Sequence, residues 1–390
     1  MNNSILIFEK NSSFNLKKHK NICIKNGVIQ ITIRNKDLNN QVITSIVRYI
    51  NYIQNRFSGT SIPIRFILDN VVLTDKLSYI LFECIIESLM TVYHRKVEVF
   101  FNLQKKIITE GISSSPLLLL GGNKNKSIIE KNKEFKEKFK FDHYKKHFRR
   151  VIRYEDYQST DGLCKIYDEV AYFQKSFNIN YDCVEDISEV IVELIGNAIE
   201  HSKSDCLIDF DIATNYRYVS GEPVCGINIA IISFSNTLLG DGISEKIKNL
   251  KSSKSINDRY AKVISANNNH YKYFDENYDS IDFNNISTFQ HRISGSEKKM
   301  DGGGMGLTKL IKSIEDKATD HTCYVLSGDR IILFEPEYLE YDEDGWIGFN
   351  ESNDYFYSKP SNQVLQRSNF YMPGTAYNLN FVMKVNNDEQ

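Results

Sequence analysis

The stretch Glu193-Leu-Ile-Gly-Asn197-Ala-Ile-Glu-His201 constrains this chain more than any other. Upstream and within it, Val184, Ile187, Ile191, Leu194, Ile195 and Ala198 recur at helical spacing and share one apolar face. Glu193, Asn197 and His201 are each four residues apart, so they stack on an adjoining face. The pattern predicts a helix that packs by one side and presents a carboxylate, an amide and an imidazole at the edge of a core. A Glu and an Asn so placed suit a hydrated magnesium ion and an activated water. Farther along, Gly302-Gly303-Gly304-Met305-Gly306-Leu307 opens onto a second helix through Leu310, Ile311 and Ile314. Glycines let backbone N–H groups approach phosphate oxygens, and a helix N-terminus adds a favourable field. Either feature alone reads as a polar helix edge or a hinge. Together they point to a nucleotide.

The surroundings narrow the class. A length of 390 residues suits two or three domains. The net charge of -2 gives no global attraction for nucleic acid or anionic membrane, so any such contact needs a local patch. Cys23, Cys84, Cys164, Cys183, Cys206, Cys225 and Cys323 are scattered, with no C-x-x-C pair. That argues against a disulfide framework or a structural zinc site and for a reducing, cytoplasmic setting. The start Met1-Asn-Asn-Ser-Ile-Leu-Ile-Phe lacks the basic flank of a signal peptide, and no apolar run is long enough to span a bilayer.

Residues 1–122 read as an α/β unit. Val28–Ile33 alternates like a strand, Leu38–Arg56 has helical periodicity, and Ile62–Leu68 is a strand that Asp69-Asn70 ends. Thr74-Asp75 caps a helix to about Tyr93, and Val97–Phe101 follows as a strand. This order predicts a βαβ crossover, with Asp69 and Asp75 as turn and cap residues. In pattern alone the unit is similar to a STAS-type domain. Residues 123–160 are basic and read as a solvated helical connector. The aromatics interleaved in Phe139–Arg150 offer a nucleic-acid patch as the alternative, without a recognisable motif. Residues 161–390 form the second unit. Its expected elements are a helix over Glu169–Phe177 and strands at Cys206–Ala213, Ile227–Phe234, Cys323–Leu326, Ile331–Phe334 and Tyr377–Met383.

At residues 160–390 the chain resembles the GHKL ATPases, the Bergerat-fold superfamily of type II topoisomerases, histidine kinases and mismatch-repair ATPases. Glu193-Leu-x-x-Asn197-Ala-x-Glu-His201 matches the family's N box, Gly302–Leu307 its G-x-G-x-G-L loop, and Pro373-Gly374-Thr375 its closing G-T and strand. The resemblance implies an α+β sandwich with a mixed sheet covered by helices. It implies Asn197 as a Mg2+ ligand, Glu193 as general base, His201 near the phosphates and Thr375 near adenine. The family's D-x-G-x-G block is altered here. After Ile227–Phe234 come Ser235-Asn236-Thr-Leu238-Leu-Gly240-Asp241-Gly242, so Ser235, Asn236 and Asp241 remain alternative base contacts, with Gly242 on the glycine side. The resemblance places an ATP lid at 243–301, whose Asn-, Lys- and Ser-rich composition suits a mobile solvated loop. Arg292, Lys298 and Lys299, just before the glycines, are candidates for the terminal phosphates. Residues 335–370, acidic and aromatic, read as an insertion, either for partner docking or as a loop.

The function expected from these features is a Mg2+-dependent ATPase whose nucleotide state acts on a protein partner or in a homodimer. A kinase of the histidine-kinase or anti-sigma type is the first alternative. His143 and His147 lie in a basic run and not in the phospho-acceptor pattern of self-phosphorylating kinases. A non-catalytic nucleotide sensor is the second alternative, and nucleic-acid-coupled action comes last.

Overall fold

The computed structural model describes residues 21–34, 37–57, 59–105, 108–122, 125–144, 146–157, 162–177, 181–218, 220–250, 258–293, 308, 310–312 and 320–384. The chain is a mixed α/β protein. In the first unit, β1 (Ile22–Lys25), β2 (Val28–Ile33), β3 (Asp37–Leu38), β4 (Ile64–Leu73) and β5 (Val97–Lys105) form a five-stranded sheet. β2, β3 and β5 pair parallel to β4, and β1 pairs antiparallel to β2. Helices α1 (Asn40–Arg56) and α2 (Lys76–Thr91) make the two crossovers, as the sequence predicts. Asn39 caps α1 through Gln41 and Val42, and Asp75 caps α2 through Ser78. Asp75 is therefore the cap residue expected.

Two local details differ from expectation. Asp69-Asn70 does not end its strand. Asn70 adopts a positive φ of 46° at a bulge between Leu68 and Val71, and β4 continues to Leu73. The β1–β2 hairpin turns on Asn26 and Gly27, both at positive φ. That Asn-Gly pair is a strong hairpin signal that the reading passed over.

Helix α3 (Ile128–Lys140) leads into β6 (Phe141–Tyr144) and β7 (His147–Ile152). The expected solvated helical connector is thus helical only in its first half. Residues 141–144 and 147–152 instead enter a sheet as strands, with His147, Phe148, Arg149 and Ile152 buried. After α4 (Tyr154–Tyr157), α5 (Gly162–Lys175) and α6 (Tyr181–Ser202), strands β8 (Cys206–Arg217), β9 (Pro223–Ser233), β10 (Asp320–Leu333) and β11 (Leu365–Lys384) complete a six-stranded sheet of order β10-β11-β9-β8-β7-β6. Every pairing in it is antiparallel, so the mixed sheet lies in the first unit and not here.

Between β9 and β10 the expected mobile lid is largely packed helix: α7 (Asp241–Leu250), α8 (Asp258–His270) and α9 (Ser280–Ser287). Ile243, Val263, Phe283 and Ile286 anchor them in the same core as α5 and α6. The polar composition misled because few apolar residues suffice to seat short helices. The acidic stretch after β10 is likewise anchored. Trp346 is buried against Tyr355, with Arg259 over its ring at 4.1 Å, while Glu337, Glu340, Asp342 and Glu343 stay exposed.

The layers run sheet, helices, sheet, helices. α5–α9 cover one face of the six-stranded sheet, and α1 and α2 lie between its other face and the first sheet. α2 is accordingly apolar nearly all round. Among its polar residues, Lys76 and Glu83, seven residues apart, share a face toward the second sheet. Lys76 Nζ pairs with Asp209 at 2.6 Å and Asp211 at 2.5 Å. Arg149 Nε reaches Asp209 at 2.5 Å, and its other nitrogen pairs with Glu83. His147 bridges Asp142 at 3.0 Å and Asp209 at 2.8 Å. The alternation of β8 puts Ile208, Phe210 and Ile212 toward the α5–α6 core, and Asp209 and Asp211 toward α2. Burial opposes charge on Asp209, but Arg149, His147 and Lys76 outweigh it and hold its carboxyl well below the usual range.

No helix among the described residues is long and apolar enough to cross a membrane. Cys23, Cys84, Cys164, Cys206, Cys225 and Cys323 are free thiols.

Lys76→Ala leaves two buried carboxylates short of a partner, and is expected to cost about 3–5 kcal/mol in urea unfolding. A loss below about 1 kcal/mol would mean that the seam is solvated. The His147 ring is disfavoured as a cation by burial, but Asp209 and Asp142 outweigh this and raise its pKa. Its ion pairs therefore contribute fully below about 6.5, its unfolded value, and are lost as pH rises through the folded value. The stability gap between wild type and His147→Gln should shrink from pH 6 to pH 9. A gap independent of pH contradicts the assignment.

Candidate functional site

α6 has the character its sequence predicts. Ile187, Val190, Ile191, Leu194, Ile195 and Ile199 are buried against the second sheet, and Val184 is buried as well. Glu193 and Asn197 are half-buried at the edge of that core. α5 lies alongside and fixes the helix through Gln174, whose Nε2 donates to Ser188 Oγ at 2.7 Å. His201 lies in the last turn of α6, but its side chain is outside the described residues.

Connectivity brings the end of α6 to one end of the sheet. A short link joins Ser202 to Cys206, which pairs with Ser233 at the end of β9, and Ser233 pairs with Thr375 of β11. The loop after β9 leaves from the same place. The register thus brings Thr375 and the start of the β9 loop, with Ser235 and Asn236, to the sheet end where α6 leads into β8.

Most polar side chains of that loop are committed to the loop itself. Ser235 is buried, and its Oγ accepts from Thr237 N at 3.1 Å while donating to Thr237 O at 2.8 Å. Asp241 Oδ2 accepts from Leu238 N at 2.7 Å, a turn closure at the start of α7. Asn236 is exposed. Gly240 abuts α9, where a Cβ would lie 2.7 Å from Asn285 Oδ1. Gly242 is half-buried in the first turn of α7.

Ser327 is a residue the sequence reading missed. Its Oγ accepts from Leu239 N at 2.9 Å, donates to Gly374 O at 2.9 Å and lies 3.2 Å from Thr375 Oγ1. It sits at a bulge in β10, beside Gly328 at φ 62°, where two separate strands were expected. The Ser-Gly pair inside a strand pattern was the available signal. Tyr157 and Glu200 were also missed: Tyr157 Oη donates to Glu200 Oε1 at 2.6 Å, and Glu200 shares the α6 face of Glu193 and Asn197.

The glycine run Gly302–Leu307, with Lys298 and Lys299, lies outside the described residues. The helical residues just after it are placed: Leu310 and Ile311 are in the core with α6, and Thr308 is buried. Arg292 is exposed, at a positive φ of 59°. Burial, then the charges of Arg259, Arg292 and Lys312, push the neighbouring His291 ring below its usual pKa. Arg292 and the helix after the glycine run therefore contribute to one positive field. The other basic candidates, in the 124–153 stretch, are partly consumed by the buried seam through His147 and Arg149.

Among the described residues no group of three or more His, Cys, Asp or Glu side chains is placed to hold a metal. Comparison with protein-family models, with curated proteins and with solved structures found no match to this chain.

Gly374 holds the corner between β9 and β11 at φ 97°, and a Cβ there would overlap the Ser233 carbonyl oxygen. Gly374→Ala is expected to cost on the order of 3 kcal/mol. Amide exchange at Leu239 should rise in parallel, since its partner Ser327 bonds the displaced carbonyl. Unchanged thermal unfolding would show that the corner is not strained.

Proposed function

We propose that residues 161–390 are a GHKL-type nucleotide site that binds ATP with Mg2+ and hydrolyses it, with the nucleotide state communicated to a protein partner. The observation that carries this reading is the half-buried pair Glu193 and Asn197 on one face of α6, the helix that leads into the sheet end where the β9 loop and Thr375 meet. The architecture supports it in part: an antiparallel sheet covered on one face by α5 and α6, with the helix after the glycine run seated in the same core.

The donor set fits magnesium. Mg2+ takes oxygen ligands in octahedral geometry and is commonly held by one or two protein groups, with phosphates and waters supplying the rest. Asn197 offers a neutral amide oxygen and Glu193 a carboxylate one turn away. When bound, the ion would neutralise phosphate charge. The chain's own groups do the remainder. Glu193, at the rim of an apolar core, takes the proton from the attacking water. The resemblance assigns the phosphates to the glycine run Gly302–Gly306, and Arg292 would add positive field. Ser235 and Asp241 are engaged in their own loop, which leaves Asn236 as the base-reading residue of the three. Its amide oxygen suits the adenine exocyclic amine.

The test combines binding and turnover. Wild-type protein should bind ATP more tightly with Mg2+ than with EDTA and release phosphate. Glu193→Ala should lower turnover about 100-fold or more with binding retained. Asn197→Ala should lose the Mg2+-dependent part of the binding. Absence of Mg2+-dependent ATP binding in the wild type sinks the proposal, and undiminished turnover in Glu193→Ala removes Glu193 as base. Label transferred to an added protein, in place of free phosphate, would favour the kinase reading of the same site.

A further inference from the structure

Glu200 follows Glu193 by seven residues on α6, so the two carboxylates lie on one face with Asn197 between them. Two carboxylates beside a polyphosphate repel it unless each is held and directed. The structure holds the second one. Tyr157, at the end of α4, donates its hydroxyl to Glu200 Oε1 at 2.6 Å. Burial, then Glu200 and Glu193, push the Tyr157 phenol above its usual pKa, so it remains a protonated donor.

Tyr157 is itself fastened. The backbone N–H of Tyr154, at the other end of α4, donates to Asp205 Oδ1 at 3.1 Å, tying α4 to the link between α6 and β8. Gly162 opens α5 against the same turn, where a Cβ would lie 3.1 Å from Tyr157 Cα and 2.8 Å from Asp156 O. Tyr157 N–H closes on Arg153 O at 3.1 Å. This four-residue helix is thus pinned at both ends beside the polar face of α6. Tyr154 and Tyr157 also pack, partly buried, against the core that seats α6.

We propose that Tyr157 is a positioning residue of the magnesium–nucleotide site, aiming Glu200 so that the carboxylate accepts hydrogen bonds from the water shell of the cation. The inference rests on the nucleotide reading of Glu193 and Asn197. In it Asn197 touches the ion, while Glu200 acts one layer out, through water. A carboxylate so aimed offsets the cation's charge without taking a coordination position from phosphate. Losing such an outer-layer partner typically weakens metal affinity 10- to 100-fold.

The experiment measures Mn2+ in place of Mg2+, by loss of the free-ion EPR signal, in the full chain saturated with a non-hydrolysable ATP analogue. Tyr157→Phe, which removes one oxygen, should raise the Mn2+ dissociation constant about ten-fold, and Glu200→Gln should do the same. The double variant should be no weaker than the worse single, because both act through one contact. Gly162→Ala should shift affinity in the same direction by displacing the Tyr157 backbone. Metal-free nucleotide binding and the melting temperature should stay near wild type for Tyr157→Phe, which separates positioning from unfolding. If wild-type protein holds no Mn2+ with the analogue, the nucleotide reading fails and takes this inference with it. If wild type binds and Tyr157→Phe binds equally, or the two single effects add in the double variant, the positioning role alone is overturned.

Discussion

The buried ionic seam between α2 and the second sheet is the constraint on which the rest depends. Lys76, Glu83, Arg149, Asp209 and Asp211 are all essentially removed from solvent. Isolated charges there would be prohibitive, so each must meet its partner in register. The seam continues as a polar row across the strands, His147 beside Asp211, Asp211 beside Asn228, and Asn228 beside Asn380. Asn228 donates to Asp211 and accepts from Asn380, while Asn378 accepts from the Leu77 amide at the start of α2. A one-residue slip of β8 would carry its aspartates into the apolar core of α5 and α6. The ion pairs therefore specify the alignment of β7, β8, β9 and β11 at least as much as they stabilise it.

That alignment is what positions the candidate site. With the sheet's register fixed on one face, α6 seats on the other by its buried isoleucines and leucine, and its polar edge comes to a defined place. The corner at Gly374, the bulge at Ser327 and the loop after β9 then close around the end of the helix. The polar groups there are mostly bonded to one another, which gives the loop a fixed shape before any ligand arrives. Asn236 stands outside that bonding.

Much of this was legible in the sequence. The crossovers of the first unit, the Asp75 cap and the two faces of α6 followed from period and capping chemistry, because each is a local property. The second half of the basic stretch was not, because the partners that neutralise His147 and Arg149 lie on distant elements. His147–Ile152, as His-Phe-Arg-Arg-Val-Ile, carries no period-two alternation that would mark a strand, because both of its faces are covered. The stretch between β9 and β10 was misread for a related reason. Its sparse apolar residues, Ile243, Val263, Phe283 and Ile286, make sense only against a core supplied by the rest of the chain. The site itself divides in the same way. The spacing of Glu193 and Asn197 announced the pair, whereas Tyr157, Glu200 and Ser327 matter through contacts that no spacing encodes.

β11 has a further consequence. The last strand of the chain occupies an interior position, between β9 and β10, and its asparagines meet the first turn of α2 across 301 and 304 residues of sequence. During synthesis the ribosome delivers this strand after every other described strand. Until it emerges, β9 and β10 lack the neighbour that joins them, and amides at the start of α2 lack their acceptors. The first unit can collapse early around its parallel strands, but it cannot reach its final form before β11 has been made. A chain cut short before β11 cannot bring Thr375 to the end of β9 and so cannot assemble the candidate site.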